Sequence, residues 1–250
     1  MSIAATLGLL LLAAEGGAAD APAFDRPGIA FSTATIPPGS FSFELGIPDF
    51  VHSADAGSNS TLYSLSTNIR AGLGQNFELQ LATPLIAYQR THDAAAADSA
   101  TGVGDSTLSV KVALPSGAQR LSWAALAGMT FATGEQPFTG RKAQYRLATA
   151  VSWELNDTYS TGFYVNLNYF DGGTGYTLSP SLNSALRDNL SGYVELGYFH
   201  VPGIPDSTVA GGGLAWMVTP TVQLDLSVDV GVTKHAPDVQ GGFGVSIFLR

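Results

Sequence analysis

The sequence predicts an all-β protein, a single closed antiparallel transmembrane β-barrel of about 12 strands. Three observations predict this fold. Apolar and polar residues alternate over most of the chain, charged residues fall on the polar side of the alternation, and only 12% of the 250 residues are charged. A surface in water needs about 25 to 35% charged residues. We therefore expect the apolar side of the strands to face lipid.

Residues 1–19 have the pattern of a secretory signal peptide. An apolar stretch at 3–14 is too short to cross ~30 Å of hydrocarbon as a helix. Small residues at 17–19 suit a cleavage site, and a buried apolar helix is the alternative. We then expect residues 20–39 to form an N-terminal periplasmic segment and residues 40–250 to form the barrel.

Segments with a hydrophobic period of two, which is typical of strands, follow one another from residue 40 onward. They are 40–50, 61–73, 77–89, 104–114, 121–133, 143–155, 158–170, 176–186, 190–200, 209–218, 221–233 and 241–250. Connections after the even-numbered segments are short, whereas those after the odd-numbered segments are mostly longer. Short periplasmic turns on one rim and longer extracellular loops on the other are typical of outer-membrane barrels.

Charged residues within these segments share the parity that is opposite to the apolar one. The predicted lumen-lining charges are Glu44, Arg70, Glu78, Lys111, Arg146, Glu154, Glu195, Asp225 and Asp229. An Arg or Lys facing lipid at the midplane would cost about 2 to 4 kcal/mol, so these side chains are expected to face the lumen. Tyr164 and Tyr193 have the same parity, which predicts that they fill the lumen or offer ring faces to a solute.

Aromatic residues of the lipid-facing parity lie near strand ends, which indicates two membrane-interface girdles. The main members are Trp123, Trp153, Trp216, Tyr145, Tyr169 and Tyr198. All three Trp fall on the rim with short turns, and a general preference of aromatics for strands does not predict this clustering.

The predicted lumen charges divide by sign around the barrel. The acidic arc is Glu195, Asp225, Asp229 and Glu44, and the basic arc is Arg70, Lys111 and Arg146. One hypothesis is a transverse field that orients charged or dipolar solutes in a confined lumen. The alternative is that these side chains pair across neighbouring strands and fill the barrel.

Three stretches resemble one known family. They are "RPGIAFSTATIPPGSFSFELGI", "GVGDSTLSVKVAL" followed by "LSWAALAGMTFATGE", and the C-terminal "VTPTVQLDLSVDVGVTKHAPDVQGGFGVSIFLR". They resemble the outer-membrane transporters associated with the MetA pathway of phenol degradation. The resemblance implies a barrel in the outer membrane of Gram-negative bacteria that transports small compounds, aromatic ones among them. It implies no catalytic site.

These observations predict a passive channel or uptake protein for small solutes, with a structural or adhesive barrel as the alternative. The expected partners are outer-membrane lipids, a small-molecule solute and, during biogenesis, the barrel-assembly machinery. Nucleic acid is not expected, because the net charge is −9 and the eleven basic residues are scattered. No cofactor or metal is expected, since the chain has no Cys and its four His show no ligand spacing.

A lipid-modifying enzyme is a further alternative, because such a barrel would need a Ser and a His near the outer rim. His200 with Ser207 is the pairing that the sequence offers. No nucleophile-elbow sequence surrounds Ser207, so we expect no enzyme.

Overall fold

The computed structural model of the protein describes residues 23–55, 57–93 and 96–250. The predicted signal peptide at residues 1–19 lies outside this part of the chain. Within the described ranges, no helix has the length and apolar character needed to span a membrane.

In the part of the chain that the structure describes, thirteen strands form one antiparallel sheet that closes on itself. They are β1 (Phe41–Asp55), β2 (Ser58–Gly74), β3 (Phe77–His92), β4 (Ala97–Gly102), β5 (Ser106–Leu114), β6 (Leu121–Phe131), β7 (Gln144–Glu154), β8 (Tyr159–Phe170), β9 (Gly173–Arg187), β10 (Leu190–Val201), β11 (Ile204–Thr219), β12 (Val222–Gly231) and β13 (Val239–Leu249). β1 pairs with both β2 and β13, which closes the barrel. The predicted closed antiparallel barrel is confirmed, with twelve strands around the wall and one extra strand.

The extra strand is β4, which the sequence analysis did not predict. β3 pairs with β5 through residues 77–82 and with β4 through residues 87–92. β4 has the sequence "ADSATG", and most of it is exposed. A strand outside the lipid needs no apolar face, so the alternation that revealed the other strands is missing.

Strands also extend further toward the long-loop rim than the apolar alternation predicts. β8 and β9 are joined by residues 171–172, and β10 and β11 by residues 202–203. The second turn contains Gly203 at φ +82°, a conformation that is readily available to glycine. The longest connections at this rim are 132–143 and 232–238.

The two faces of the wall differ sharply in polarity. In β10, Val194 is 60% exposed and Glu195 6%, and in β12, Leu226 is 50% exposed and Asp225 2%. Because successive side chains of a strand point to opposite faces, the apolar residues lie outside and the charged residues inside. An exterior of Val, Leu and Phe requires lipid, as in an outer-membrane barrel.

Residues 24–36, here called the lumen segment, lie inside the barrel. Phe31 packs among inward-facing residues of the wall, and Phe24 and Ile36 pack beside Phe248. The sequence predicts a separate periplasmic segment at residues 20–39, whereas the structure places residues 24–36 of it inside the barrel. The reason is that the segment has four large apolar side chains and two charged ones that find partners on the inner face.

Candidate functional site: the occupied lumen

A buried cluster of five charges connects the lumen segment to the wall. It consists of Asp25, Glu44, Arg70, Glu78 and Lys111. The Arg70 guanidinium lies 2.8 Å from Glu44 Oε1 and 2.8 Å from Glu78 Oε1. Lys111 Nζ lies 2.7 Å from Asp25 Oδ1 and 3.1 Å from Glu78 Oε1. The four wall residues come from the neighbouring strands β1, β2, β3 and β5, and Asp25 completes the cluster.

The wall carboxylates also accept hydrogen bonds from the backbone of the segment. Glu44 Oε2 accepts from the N–H groups of Asp25 and Arg26, both at 2.9 Å. Glu78 Oε2 accepts from the N–H of Ile36 at 2.8 Å. A chain without a neighbouring strand needs such acceptors, because a buried, unpaired N–H is costly. These carboxylates therefore bind the segment as well as their cations.

Arg26 forms a second anchor on the adjoining part of the wall. Its guanidinium donates to both carboxylate oxygens of Asp49, at 3.0 and 2.9 Å, and to Asp225 Oδ1 at 3.2 Å. Its carbonyl accepts from Gln223 Nε2 at 3.0 Å. Asp49 lies on β1 and the other two wall residues on β12, so one side chain bridges two strands that flank β13.

Two glycines in β13, the strand between β1 and β12, make room for this bridge. A Cβ atom on Gly242 would lie 2.1 Å from Asp49 Oδ1, and one on Gly244 would lie 2.4 Å from Arg26 Nε. Neither separation is possible for real atoms. The absence of side chains at these two positions of β13 lets the carboxylate and guanidinium lie against the wall.

After Arg26, the segment crosses the lumen to the opposite wall. The N–H of Ile29 donates to Glu195 Oε2 at 3.1 Å. Gly28, at φ +109°, turns the chain beside the ring of Tyr193. Phe31 then packs edge to face on Tyr164, with ring centroids 5.5 Å apart.

Small inward-facing residues form the socket for Phe31. Ala124, Ala148 and Ala150 are almost fully buried and belong to the same apolar cluster as Phe31 and Leu126. Larger side chains at these positions of β6 and β7 would occupy the space that the ring takes.

The pairing of charges corrects the hypothesis of two separated arcs. Arg70 and Lys111, from the predicted basic arc, contact Glu44 and Glu78 directly. The alternative of pairing across neighbouring strands describes this part of the wall. It does not describe Arg146, which has no carboxylate within 4 Å among the residues that the structure describes.

Two further acidic residues of the wall, Glu195 on β10 and Asp229 on β12, have no cation within 4 Å in the described part of the chain. Glu195 accepts from Ser179 Oγ at 3.3 Å as well as from the segment. Asp229 Oδ2 accepts from Gln240 Nε2 at 3.1 Å. The contacts of the segment therefore differ around the lumen. Ion pairs hold it at Asp25 and Arg26, whereas hydrogen bonds to Glu195 hold it at Ile29.

Three cavities surround the lumen segment. The first, of about 270 Å³, lies against Phe31, Ser181 and Glu195. The second, of about 250 Å³, lies on the other side of Phe31, next to Ser109 and Arg146. The third, of about 260 Å³, lies between Arg26 and Asp229. A water molecule occupies about 30 Å³ of the liquid, so each cavity can hold several waters. The segment narrows the lumen without filling it.

A family model connects this architecture to known proteins. The family described as "Putative MetA-pathway of phenol degradation" matches residues 24–249. The chain belongs to this family. The match begins at Phe24, the first residue of the lumen segment, so the phenol-degradation family model covers the segment together with the wall.

Solved structures with the same fold are outer-membrane barrels. The COG4313 outer membrane channel from Pseudomonas putida F1 is 13% identical, with a TM-score of 0.69 over 90% of this chain and 98% of that one. The KdgM porin in complex with disordered oligogalacturonate is 10% identical, with a TM-score of 0.51 over 84% and 98%. The NanC porin is 8% identical, with a TM-score of 0.52 over 83% and 99%. No curated protein matches the chain.

The remaining predicted lumen charge, Glu154, lies at the short-turn rim. It is the last residue of β7 and is exposed, so it is not part of the occupied lumen. Of the predicted lumen aromatics, Tyr164 is buried under Phe31 and Tyr193 lines the first cavity.

The predicted interface aromatics lie at strand ends on the outer face. Trp153 pairs with Leu121, the first residue of β6, and Trp216 pairs with Leu190, the first residue of β10. Trp123 lies near the same rim, opposite the last residue of β5. Tyr145, Tyr169 and Tyr198 lie toward the long-loop rim. Contact of these rings with lipid head groups stays a prediction.

The pairing of His200 with Ser207 does not form. His200 Nδ1 lies 2.7 Å from Asp206 Oδ1, and its ring stacks on that of Tyr176. Asp206 and Ser207 are consecutive in β11 and so point to opposite faces of the wall. The candidate nucleophile is therefore on the other side of the wall from the histidine.

Asp105, in the "GVGDSTL" motif, organises the longest connection at the outer rim. Its carboxylate accepts from the N–H groups of Gly134 and Gly140, at 2.8 and 2.7 Å. Partial burial acts to raise the pKa of Asp105, but the backbone N–H donors outweigh it and hold the pKa below its ordinary value. The motif thus holds the 132–143 loop to the barrel.

Proposed function

We propose that the protein is a passive channel for small solutes across the outer membrane, in which the lumen segment sets the upper size limit. The observation that carries this proposal is the partly occupied lumen. The segment crosses from wall to wall, yet cavities of about 250 to 270 Å³ lie on its sides. Membership of the phenol-degradation family supports a transport role.

The lining of the cavities supports solutes with an apolar part. Phe31 borders the first and second cavities, and Leu126 and Tyr164 border the second. Hydroxyl and amide groups, such as those of Ser109 and Gln80, share the second cavity with these apolar surfaces. A small ring-containing molecule with one polar group matches this mixture.

Permeation into liposomes tests the proposal. Purified protein is reconstituted and challenged with uncharged solutes of increasing size, and the swelling rate is followed by light scattering. We expect rapid entry of the smallest solutes and a steep fall with size. A deletion of residues 24–36 should move the limit to larger solutes, provided that gel mobility before and after heating shows a folded barrel.

A disulfide lock provides a sharper version of the test. Thr33 Oγ1 and Ser122 Oγ lie 2.8 Å apart, one on the segment and one on β6. Because the chain has no Cys, the variant Thr33→Cys/Ser122→Cys can form only one disulfide. We expect oxidation to slow the entry of the largest permeant solutes and reduction to restore their rate of entry.

The single variant Thr33→Cys is the control, since it should not respond to oxidation. If neither the wild type nor the deletion variant admits any solute, the channel proposal is wrong and a structural or adhesive barrel remains.

A further inference from the structure

Arg146 is distinguished from the other lumen cations by its surroundings. Arg26, Arg70 and Lys111 each contact at least two carboxylates. Arg146 contacts none within 4 Å among the described residues, and its Nε is buried without a hydrogen-bond partner there. Among the side chains that the structure describes, only Tyr164 lies at hydrogen-bonding range, with Arg146 Nη2 at 3.5 Å from its hydroxyl. A guanidinium has five donors, so most of its capacity is unused.

The guanidinium borders a cavity that is large enough for a small ligand. The second cavity, of about 250 Å³, has Arg146 on its lining together with Ser109, Phe31, Leu126 and Tyr164. The apolar members face the same space as the charge. The cavity therefore offers one cationic group beside an aromatic and aliphatic surface.

Other charges on this cavity already have partners of opposite sign. Asp25 and Glu44 border it, but each is bound to a cation of the five-charge cluster. Arg26 also borders it and is held by Asp49 and Asp225. Arg146 is thus the charge on this cavity that the described residues leave uncompensated.

The backbone opposite Arg146 is shaped to admit its side chain. Gly128 pairs with Arg146 across β6 and β7, and a Cβ on Gly128 would lie 3.0 Å from Arg146 Cγ and 2.3 Å from Ser109 Oγ. Arg146 is the third residue of β7, nearer the long-loop rim than Ala148 and Ala150, which hold Phe31. A solute that enters from that rim meets the guanidinium before it meets the segment.

We propose that this cavity is a binding site for small organic monoanions, in which Arg146 pairs with a carboxylate or phenolate and Phe31, Leu126 and Tyr164 contact the apolar part. A planar guanidinium suits a carboxylate because it can donate two parallel hydrogen bonds. The site deepens the channel function and rests on it for its physiological role, but the binding itself does not require transport.

Calorimetric titration of the detergent-solubilised, full-length protein tests the site. The probes are benzoate and benzyl alcohol, which share a ring and differ in charge. We expect the wild type to bind benzoate more tightly, and Arg146→Gln to weaken benzoate binding by about tenfold or more, as the loss of a charge-assisted pair implies. Binding of benzyl alcohol should change by less than about twofold. Arg146→Lys should retain part of the preference for benzoate over benzyl alcohol, since it keeps the positive charge but loses the two parallel N–H donors of the guanidinium.

The matched control is Arg141→Gln, which removes the same charge from an exposed loop at the same rim. It should leave both affinities unchanged. The proposal is overturned if the wild type binds benzoate no better than benzyl alcohol, a result that does not depend on any variant folding. It is also overturned if Arg141→Gln and Arg146→Gln weaken benzoate binding equally. Because swelling of liposomes is measured separately, a failed channel and a failed binding site give different results.

Discussion

The two anchors of the lumen segment use the same chemical groups in different surroundings. At the five-charge cluster, Arg70 and its partners Glu44 and Glu78 are fully buried. At the Arg26 bridge, Asp225 is fully buried, but the side chains of Arg26 and Asp49 keep 18% and 29% exposure. The first anchor is buried among four strands, and the second is partly exposed beside the third cavity.

This difference indicates which contacts stabilise the barrel wall and which only hold the lumen segment in place. Removing one partner of a fully buried ion pair leaves an uncompensated charge and costs about 3 to 5 kcal/mol. A partly exposed pair is worth less, because water replaces the lost partner. All four wall charges at the first anchor are connected to one another without the segment, whereas the bridge exists only through Arg26.

Arg70→Gln should have the largest effect. It removes the cation that lies between Glu44 and Glu78, so we expect the free energy of unfolding to fall by about 3 to 5 kcal/mol. The measurement is urea unfolding in detergent, followed by tryptophan fluorescence. The control is Arg120→Gln at the short-turn rim, where Arg120 is exposed and donates only to the Leu155 carbonyl. Equal stabilities of the two variants would contradict the assignment of Arg70 to the wall.

Phe31→Ala should act on the segment rather than on the wall. Loss of a buried Phe side chain costs about 3 to 5 kcal/mol in a closed core, and we expect about 3 because cavities border the ring on two sides. The free energy lost is that of docking the segment. Hydrogen exchange of the backbone of residues 24–36 should therefore accelerate, while that of the strands stays unchanged. Equal acceleration in β6 and β7 would show that the ring stabilises the whole barrel.

Arg26→Gln should release the second anchor at a smaller cost. We expect about 1 to 3 kcal/mol, mainly from the buried Asp225 carboxylate that loses its donor. Single-channel recordings in a planar bilayer should show a larger mean conductance and more frequent transitions than the wild type. The double variant Arg26→Gln/Asp225→Asn removes the unpaired charge and should recover part of the docking energy. If its recordings equal those of Arg26→Gln, the Arg26–Asp225 contact contributes nothing.

Substitution of Asp105 should have the smallest effect. Asp105 lies outside the lumen, so it provides a comparison with the carboxylates inside. Since its pKa is lowered in the folded protein, its contribution is complete above the ordinary value of about 3.9. It is lost as the pH falls through the lowered pKa. Protection of the Gly134 and Gly140 N–H groups from hydrogen exchange should therefore be constant with pH near neutrality, and this part of it should be lost only in strong acid. Asp105→Asn should abolish that acid dependence, while the strands keep their protection.

Much of the wall could be predicted from the sequence because lipid imposes a strict rule on it. A side chain in lipid must be apolar, so the alternation in β12 identifies both faces and the positions of Asp225 and Asp229. β4 could not be found in this way, since it lies beyond the region where one face must be apolar. The same reason explains why the long-loop ends of β9, β10 and β11 extend past the predicted bounds.

The site could be predicted only in part, since one half of it is not in a strand. The wall charges follow from parity, but their partners Asp25 and Arg26 lie in a segment without periodicity. Two features of the sequence do point to an occupied lumen. The segment has Phe24, Phe31 and Ile36 where a water-exposed linker would be polar, and the inward positions 124, 148 and 150 are all Ala.

The position of the lumen segment in the chain connects it to closure of the barrel during folding. The segment ends a few residues before β1, and β1 pairs with β13, the last strand to be made. The β1–β13 seam, which closes the barrel, is thus adjacent in sequence to the lumen segment that the barrel encloses. A nascent sheet that has not yet joined its two edges would offer Glu44, Arg70 and Lys111 to water and to the incoming peptide alike. Closure of the barrel at this seam therefore also encloses the lumen segment. A chain that lacks the residues up to 36 would fold around an emptier lumen.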